Sequence, residues 1–374
     1  MTHRRDLPCS SWCDIYPSRI ARNLALACDL LPERSQFCAV LKADAYGHGI
    51  KQVVPLVMAQ GIRCIGITSN TEARAVREAG FAGGIIRLRA ATLSEMETAV
   101  ADRVQEQIGS LDAARQYRGL MDDGHNLSKV HLALDAAGMS RDGLELATQT
   151  GKAACREILG LLRNQITGIC THFASNEPNH LRQSATLFQQ QVAWVLANST
   201  LRRSDLTIHA GSSLSLVSGI AVETDMYRCG AIIYGILKPE LGFVPTMELK
   251  ARVVGLGAYP AGAAVGYDRA NLLERDSRLA CISIGYANGF YRNAHNRSAV
   301  IIREKVVPVL GKMSMNTIVA DVTGNDDVQV GDEVTIYGRG GEQVISNVQA
   351  EAQFGTIMAD LYSDWGLRNH RIYR

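Results

Sequence analysis

FCAVLKA (37–43) is a short apolar run closed by a lysine, and seven more runs of that texture follow it. They are RCIGIT (63–68), GIIRLR (84–89), EQIGS (106–110), KVHLALD (129–135), ITGICTHF (166–173), LTIHAG (206–211) and RCGAIIYG (228–235). All eight read as strands. The stretches between them read as helices. Ile50, Val53, Val54 and Val57 keep helical spacing around Pro55, and Phe188, Val192, Val195 and Leu196 share one helical face. Ser69 with Glu72, and Thr92 with Glu95, fit the S/T-x-x-E capping box, and Gly80 stands where a residue just past a helix end belongs. Eight strand–helix alternations predict a (β/α)8 barrel. The competing arrangement is an open doubly wound sheet, weakened because no G-x-G-x-x-G follows the first strand.

The texture changes after residue 245. KARVVGLGAY, RLACISIGY, AVIIREKVVPVL, NTIVADV and DEVTIYG are strand-like and separated by Gly, Pro, Asn and Asp. The expected domains are a barrel over 17–245 and a β-rich domain over 246–374. The N-terminal strand segment 1–16, with SSWCDIY (10–16), would join the second.

The 374 residues carry 39 Lys+Arg against 37 Asp+Glu, a net charge of +2 that offers no footprint for nucleic acid or an acidic membrane surface. No apolar run reaches the ~18 residues that span a bilayer. Aromatics at 6% leave the core aliphatic. Nine dispersed cysteines show no C-x-x-C and cannot close into pairs, and no metal site is expected. The N-terminus lacks a secretory apolar segment, so the chain as it stands reads as cytoplasmic. A removed signal replaced by Met would look the same and leaves the periplasm open.

The chemistry concentrates in AVLKADAYGHG (39–49), where Lys42 sits at the carboxyl end of the first predicted strand. Catalytic residues of barrels collect at that end. Lys42 is either a snorkelling strand-end lysine or a Schiff-base lysine, whose amine must be partly deprotonated near a carbonyl. Arg87 and Arg89 alternate along one strand and so share a face, either the barrel interior or its rim. A buried pair of arginines needs partners.

The segment around Lys42 resembles the pyridoxal-phosphate attachment motif of alanine racemases. The resemblance runs through SSWCDIY, GYDRANLLERDS, SIGYANGF and GKMSMNT to DLYSDW. CAVLKADAYGHGI, GITSNTEARAVREAGF, IRLRAATLSE, HLALDAAGMSRDGLEL and KMSMNT look closer to the broad-specificity amino-acid racemases. The resemblance implies a (β/α)8 barrel plus a C-terminal β domain, pyridoxal 5'-phosphate (PLP) as cofactor, and a homodimer with shared active sites acting on amino acids.

It also implies roles for named residues. Lys42 would carry the cofactor and act as one base. Tyr267, in GYDR (266–269), would be the second base and enter from the partner subunit. Two bases suit racemisation, because one face of Cα loses a proton and the opposite face gains one. Both ordinarily titrate near ~10 and need downward tuning. Tyr46 would donate to the phosphate, with Ser213, the less typical Ser212, the backbone of Gly230 and Ala231, and more weakly Tyr362. Arg228 would face the pyridine nitrogen and keep it unprotonated. His209 would bond that arginine, and His172 would pack on the cofactor ring. Arg141 would reach the cofactor and the substrate carboxylate. Met315 and Asn316 would lie at the mouth of the site, with Asn316 where alanine racemases have Asp.

Two departures bear on substrate range. Ala133 stands where alanine racemases often carry a carbamylated lysine that supports Arg141, and Asp135 stands where broad-specificity relatives more often have Asn. Arg87 and Arg89 would play a structural role beside the active site. The resemblance leaves a dedicated alanine racemase as the alternative. A barrel-type PLP decarboxylase would lack the GYDR tyrosine, and a PLP-carrying binding protein would lack the second domain. Cys38 and Cys64 fall at matching depths on adjacent predicted strands, as either a bridge or two reduced core thiols. Nine thiols titrating under denaturing, non-reducing conditions would exclude the bridge.

Overall fold

The computed structural model describes residues 9–136 and 138–374, so the first eight residues of the predicted N-terminal strand segment lie outside the described residues. Two compact units emerge. One comprises Ile20–Ala45 and Ile50–Phe243; the other comprises the described residues up to Arg19, with Tyr46–Gly49 and Val244–Arg374.

Strand β1 (Ser11–Ile15) belongs to the second of these. The first is built on β2 (Gln36–Val40), β3 (Cys64–Ile67), β4 (Gly84–Arg87), β5 (Val104–Ile108), β6 (Val130–Ala133), β7 (Ile166–Cys170), β8 (Thr207–His209), β9 (Gly211–Ser212) and β10 (Met226–Cys229). They form one parallel sheet in the order β8-β7-β6-β5-β4-β3-β2-β10-β9. β8 and β9 are halves of one strand interrupted at Ala210. The first half pairs with β7 and the second with β10, which closes the sheet into the expected (β/α)8 barrel. Both capping boxes form, and Gly80 takes φ +88° after the helix Asn70–Glu78. The helix Ile50–Ala59 continues through Pro55.

Parallel register identifies the interior face, because partner residues point the same way and neighbours along a strand alternate. Cys38, Cys64 and Arg228 share it with Gln105, His131, Gly168 and His209. Cys38, Ile86 and Met226 form a small apolar cluster there. Cys38 and Cys64 are register partners, and both are free thiols. A larger aliphatic core, including Ile108, Leu132, Ile169, Ile208 and Phe188, packs the outer faces of the strands under the helices.

Two sequence expectations change. RCGAIIYG (228–235) reads as strand throughout, but β10 ends at Cys229 and residues 231–235 form turns. Its isoleucines are buried all the same, and Asn23 Nδ2 donates to Ile233 O at 3.1 Å, so a buried turn imitates a strand. Arg87 does not point into the barrel. It lies on the opposite face of β4 from Ile86, fully buried, with Nε and Nη2 on Glu106 at 2.8 and 3.1 Å and Nη2 on Asn70 at 2.5 Å. Arg89 pairs with Glu95. Desolvation outweighs the guanidinium's attraction at Glu106 and lifts its carboxyl above the ordinary value.

The other unit contains β11 (Met247–Tyr259), β12 (Ala264–Val265), β13 (Asn271–Leu272), β14 (Ser277–Ile282), β15 (Ala299–Ile302), β16 (Lys305–Leu310), β17 (Ile318–Asp321), β18 (Glu333–Gly340), β19 (Gln343–Ile345) and β20 (His370–Tyr373). The long strand β11 pairs with β18 through residues 249–252 and with β14 through 253–259, and β17, β16 and β15 complete an antiparallel ring. β1 lies antiparallel to β11 and parallel to β20. Phe290, Tyr337, Phe354, Tyr362 and Trp365 gather much of the scarce aromatic content into its core. Among the described residues, no helix is long and apolar enough to cross a membrane.

The Arg87–Glu106 pair generates a stability prediction. Glu106→Leu alone strands a buried guanidinium and should cost about 3–5 kcal/mol in urea unfolding. The double change Arg87→Met with Glu106→Leu should recover most of that loss.

Candidate active site at the carboxyl ends of the barrel strands

Lys42 lies two residues beyond β2 and opens a turn of unusual hand. Ala43, Asp44, Ala45 and Tyr46 all have positive φ, at 53°, 51°, 57° and 52°. The left-handed conformation costs an L-residue roughly 1–2 kcal/mol, so such a run persists only where its surroundings over-determine it. Asp44 Oδ1 accepts from Ile50 N at 2.8 Å, Ala45 N donates to Leu41 O at 2.8 Å, and Ala43 N donates to Glu72 Oε1 at 2.7 Å. Lys42 reaches solvent in a single chain, yet protein crowds most of its surroundings. Desolvation lowers its pKa, the positive charge of Arg141 lowers it further, and Glu72 opposes both.

Arg228, on β10, anchors a buried polar series inside the barrel. Its Nη1 donates to His209 O and to His209 Nδ1, both at 2.8 Å, and its Nη2 donates to Thr171 O at 2.7 Å. A guanidinium only donates, so His209 Nδ1 must be bare and Nε2 must carry the proton. Nε2 then donates to His131 Nδ1 at 2.9 Å, and His131 Nε2 donates to Gln105 Oε1 at 2.8 Å. Gly168 stands on the strand between the two histidines, and a Cβ there would overlap His131 Nδ1. Burial and the nearby guanidinium pull His131 down to about 3, and burial, the neighbouring ring and Arg228 hold His209 well below the ordinary value.

The other barrel candidates follow the ends of β6, β7, β8 and β10. His172 is pulled down to about 4, first by desolvation and then by Arg228, Arg141 and Lys42. Arg141 forms an ion pair with Asp142 at 3.2 Å. Asp135 holds the loop before it, accepting from Met139 N at 3.1 Å and Ser140 N at 2.8 Å. Gly230 N donates to Ser213 Oγ at 3.1 Å, beside Ala231. The Ser212 hydroxyl caps the turn Ser213–Leu216 by accepting from Ser215 N at 3.4 Å. Lys42, Arg141 and Arg228 all lie close enough to His172 to lower its pKa, while Ser212, Ser213, Gly230 and Ala231 stand at the ends of β9 and β10.

The remaining candidates belong to the other unit. Tyr46 O accepts from His48 Nδ1 at 2.9 Å. Tyr267 is 56% exposed, and Gly266 before it has φ +75° with Lys312 N and O where a Cβ would stand. An isolated bridge joins Gly266 to Lys312, and Lys312 Nζ pairs with Asp268 at 2.6 Å. The GYDR and KMSMNT segments are therefore tied together, with Met315 55% exposed and next to Asn316. Arg292 lies 6.0 Å over the Tyr267 ring. Tyr362 lies among the aromatic residues of this unit. It is fully buried, its hydroxyl meets that of Tyr337 at 2.8 Å, and its packing against Tyr337 and Trp365 makes it a core residue of this unit.

The sequence reading missed Glu72, His131 and Gln105 as parts of this region. Glu72 was visible only as a capping-box residue. His131 and Gln105 gave one usable signal, polar side chains on alternating positions of otherwise apolar strands.

Comparison with known proteins places these residues in context. Residues 15–238 match the family of alanine racemase N-terminal domains, and residues 246–373 match the family of alanine racemase C-terminal domains. A broad specificity amino-acid racemase of Pseudomonas putida is 39% identical over 97% of this chain and 89% of its own. A lysine racemase of Proteus mirabilis is 36% identical over 97% and 89%. In fold, the chain is similar to the alanine racemase of Bartonella henselae solved with covalently bound pyridoxal phosphate, with a TM-score of 0.85 and 23% identity over 98% of this chain and 100% of that one.

The neutral histidines make stability depend on pH. Unfolded, an imidazole titrates near ~6.5; folded, His131 takes its proton only near about 3. Below ~6.5 the unfolded state binds the proton and the native state does not, so stability falls with pH, by up to ~1.4 kcal/mol per pH unit for each such histidine. His131→Gln can accept from His209 and donate to Gln105 without titrating. Urea midpoints between pH 7.5 and pH 5 should fall less steeply for that variant than for the parent.

Proposed function

The chain belongs to the alanine racemase family, and from that premise we propose that it interconverts L- and D-amino acids with several kinds of side chain, using PLP. The observation that carries this reading is a lysine of lowered pKa just beyond β2, whose positive neighbours are Arg141 and, across His172, a fixed Arg228. The residues present suit PLP. Three cations, Lys42, Arg141 and Arg228, stand against the single carboxylate of Glu72 in the interactions that set the Lys42 and His172 pKa values, which favours a phosphate and a substrate carboxylate. Ser213 and Gly230 N–H lie 3.1 Å apart where an anion cradle is wanted.

When bound, PLP supplies a conjugated electron sink for the pair left when Cα loses its proton. The chain supplies the rest. Lys42 attaches the cofactor and takes or returns the Cα proton on one face. Tyr267 of a second copy does so on the other face, which makes the working unit a homodimer. Arg228 offers only N–H donors, so a pyridine nitrogen meeting it must accept. His172 stays neutral and packs as an uncharged plane. Tyr46, Ser213, the less typical Ser212 and the backbone at Gly230 and Ala231 bind the phosphate, and Tyr362 is left to the core. Arg141 receives the substrate carboxylate, with Met315 and Asn316 of the second copy at the mouth. Ala133 leaves open the volume a lysine would fill.

The test is proton exchange at Cα. Purified protein with PLP in deuterated solvent should label L-alanine, L-lysine and L-methionine at Cα and yield their D-enantiomers by chiral chromatography. Labelling of alanine alone would overturn the breadth of the proposal and leave a dedicated alanine racemase. No labelling with PLP bound would overturn racemisation, and carbon dioxide release would then mark a decarboxylase. Tyr267→Phe should lower turnover by about 10²–10⁴-fold while PLP uptake persists.

A further inference from the structure

Glu72 binds more than its own helix. Its Oε2 accepts from Ser69 N at 3.1 Å while Ser69 Oγ accepts from Glu72 N at 3.2 Å, which is the reciprocal pair that S-x-x-E implies. Oε2 also accepts from Thr68 N at 2.7 Å and from the Thr68 hydroxyl at 3.1 Å. Oε1 makes a bond that no capping box requires: it accepts from Ala43 N at 2.7 Å, on the residue that follows Lys42. The same sequence pattern at Thr92 and Glu95 shows the difference. There the carboxylate bonds Thr92 and Arg89 and lies 4.0 Å from Arg87, and among the described residues it holds no backbone amide of another loop.

Ala43 is also where the left-handed run begins. Asp44 braces that run from within, through Ile50 N. Glu72 braces it from a different element, the start of the helix after β3. A charge-assisted bond at such a point is among the stronger ones available. The charged and titratable groups facing the lysine are Arg141 from the loop after β6, neutral His172 after β7, and Glu72. Glu72 is the anion among them.

We propose that Glu72 is a positioning residue for Lys42: one carboxylate oxygen clamps the Ala43 amide and fixes the left-handed turn that aims the lysine, while the charge offsets Arg141. This deepens the racemase reading and rests on Lys42 being the lysine that carries PLP.

The two oxygens allow the roles to be separated. In Glu72→Gln the amide oxygen can stay on Thr68 and Ser69, which keeps the cap. The NH2 then faces the Ala43 N–H, donor against donor, and the clamp is cut. Ser69→Ala does the reverse, weakening the cap while leaving the carboxylate on Ala43.

The experiment compares the full-length parent with Glu72→Gln and Ser69→Ala. Borohydride trapping and peptide mass spectrometry of the PLP-loaded parent first locate the cofactor. A label elsewhere than Lys42 overturns the racemase reading of the site and this inference with it. With the label on Lys42, two further readouts decide the inference alone. Hydrogen exchange of the peptide spanning residues 42–46 should quicken by roughly tenfold or more in Glu72→Gln. Competitive acetylation after cofactor removal should show the Lys42 amine becoming reactive about one pH unit lower, because a carboxylate no longer favours the ammonium. Ser69→Ala should lower the urea midpoint and change neither readout. If both variants lose stability alike and neither readout separates them, Glu72 is a helix cap and the inference fails.

Discussion

A guanidinium inside a barrel dictates what may surround it. Arg228 has donors and nothing else, and it is buried, so each group it meets must accept. Two of its partners are carbonyls, which ask nothing further of the sequence. The third is an imidazole nitrogen, and that choice propagates. His209 has to be neutral and of one tautomer, His131 has to accept from it, and Gln105 has to present its carbonyl end. A protonated histidine anywhere in the series would set donor against donor. The constraint is steric as well as electrical, since β7 must carry glycine at 168 for two rings on β6 and β8 to meet across it.

The same face of the barrel changes character over two residues. Met226 packs with Cys38 and Ile86, while Arg228, next on that face of β10, belongs to the polar series. On that face Cys64 and Leu88 pack against the apolar cluster, polar groups stand on strands β5, β6, β8 and β10, and the loops beyond carry Lys42, Arg141, His172 and Ser213. The strands supply rigidity, and the turns after them supply direction. At Lys42 direction comes from four consecutive residues held in an unfavourable hand, which no propensity would choose and which neighbouring carboxylates enforce.

This explains what could be read from the sequence. The eight apolar runs and two capping boxes reveal the barrel because they are local patterns repeated many times. Lys42, Tyr267 and Arg228 stood out through motifs. The bonds around them did not, because a hydrogen bond between His131 and His209 spans three strands and leaves no spacing to detect. Arg87 was read as facing inward or rimward because alternation gives a shared face but not which face. Only register against Ile86 and Glu106 decides that it lies outside. The turn at 231–235 was read as strand because burial makes any short segment apolar, whatever its backbone does.

Register and loop bonding also bear on the absence of a lysine at 133. Ala133, the last residue of β6, has no polar side chain to hold the loop that carries Arg141, so the loop is held in another way. Asp135 provides this. Its two oxygens meet two backbone amides, Met139 N and Ser140 N, and Ser140 takes φ +49° next to the arginine. An asparagine at 135 would offer one acceptor to those two donors and turn an N–H toward the other. The acidic residue at 135 therefore acts on the loop backbone, through acceptor count, and does not need to act on a substrate through its charge. The order of this loop is thus written into its own first residues, with Asp135 holding the two amides that precede Arg141.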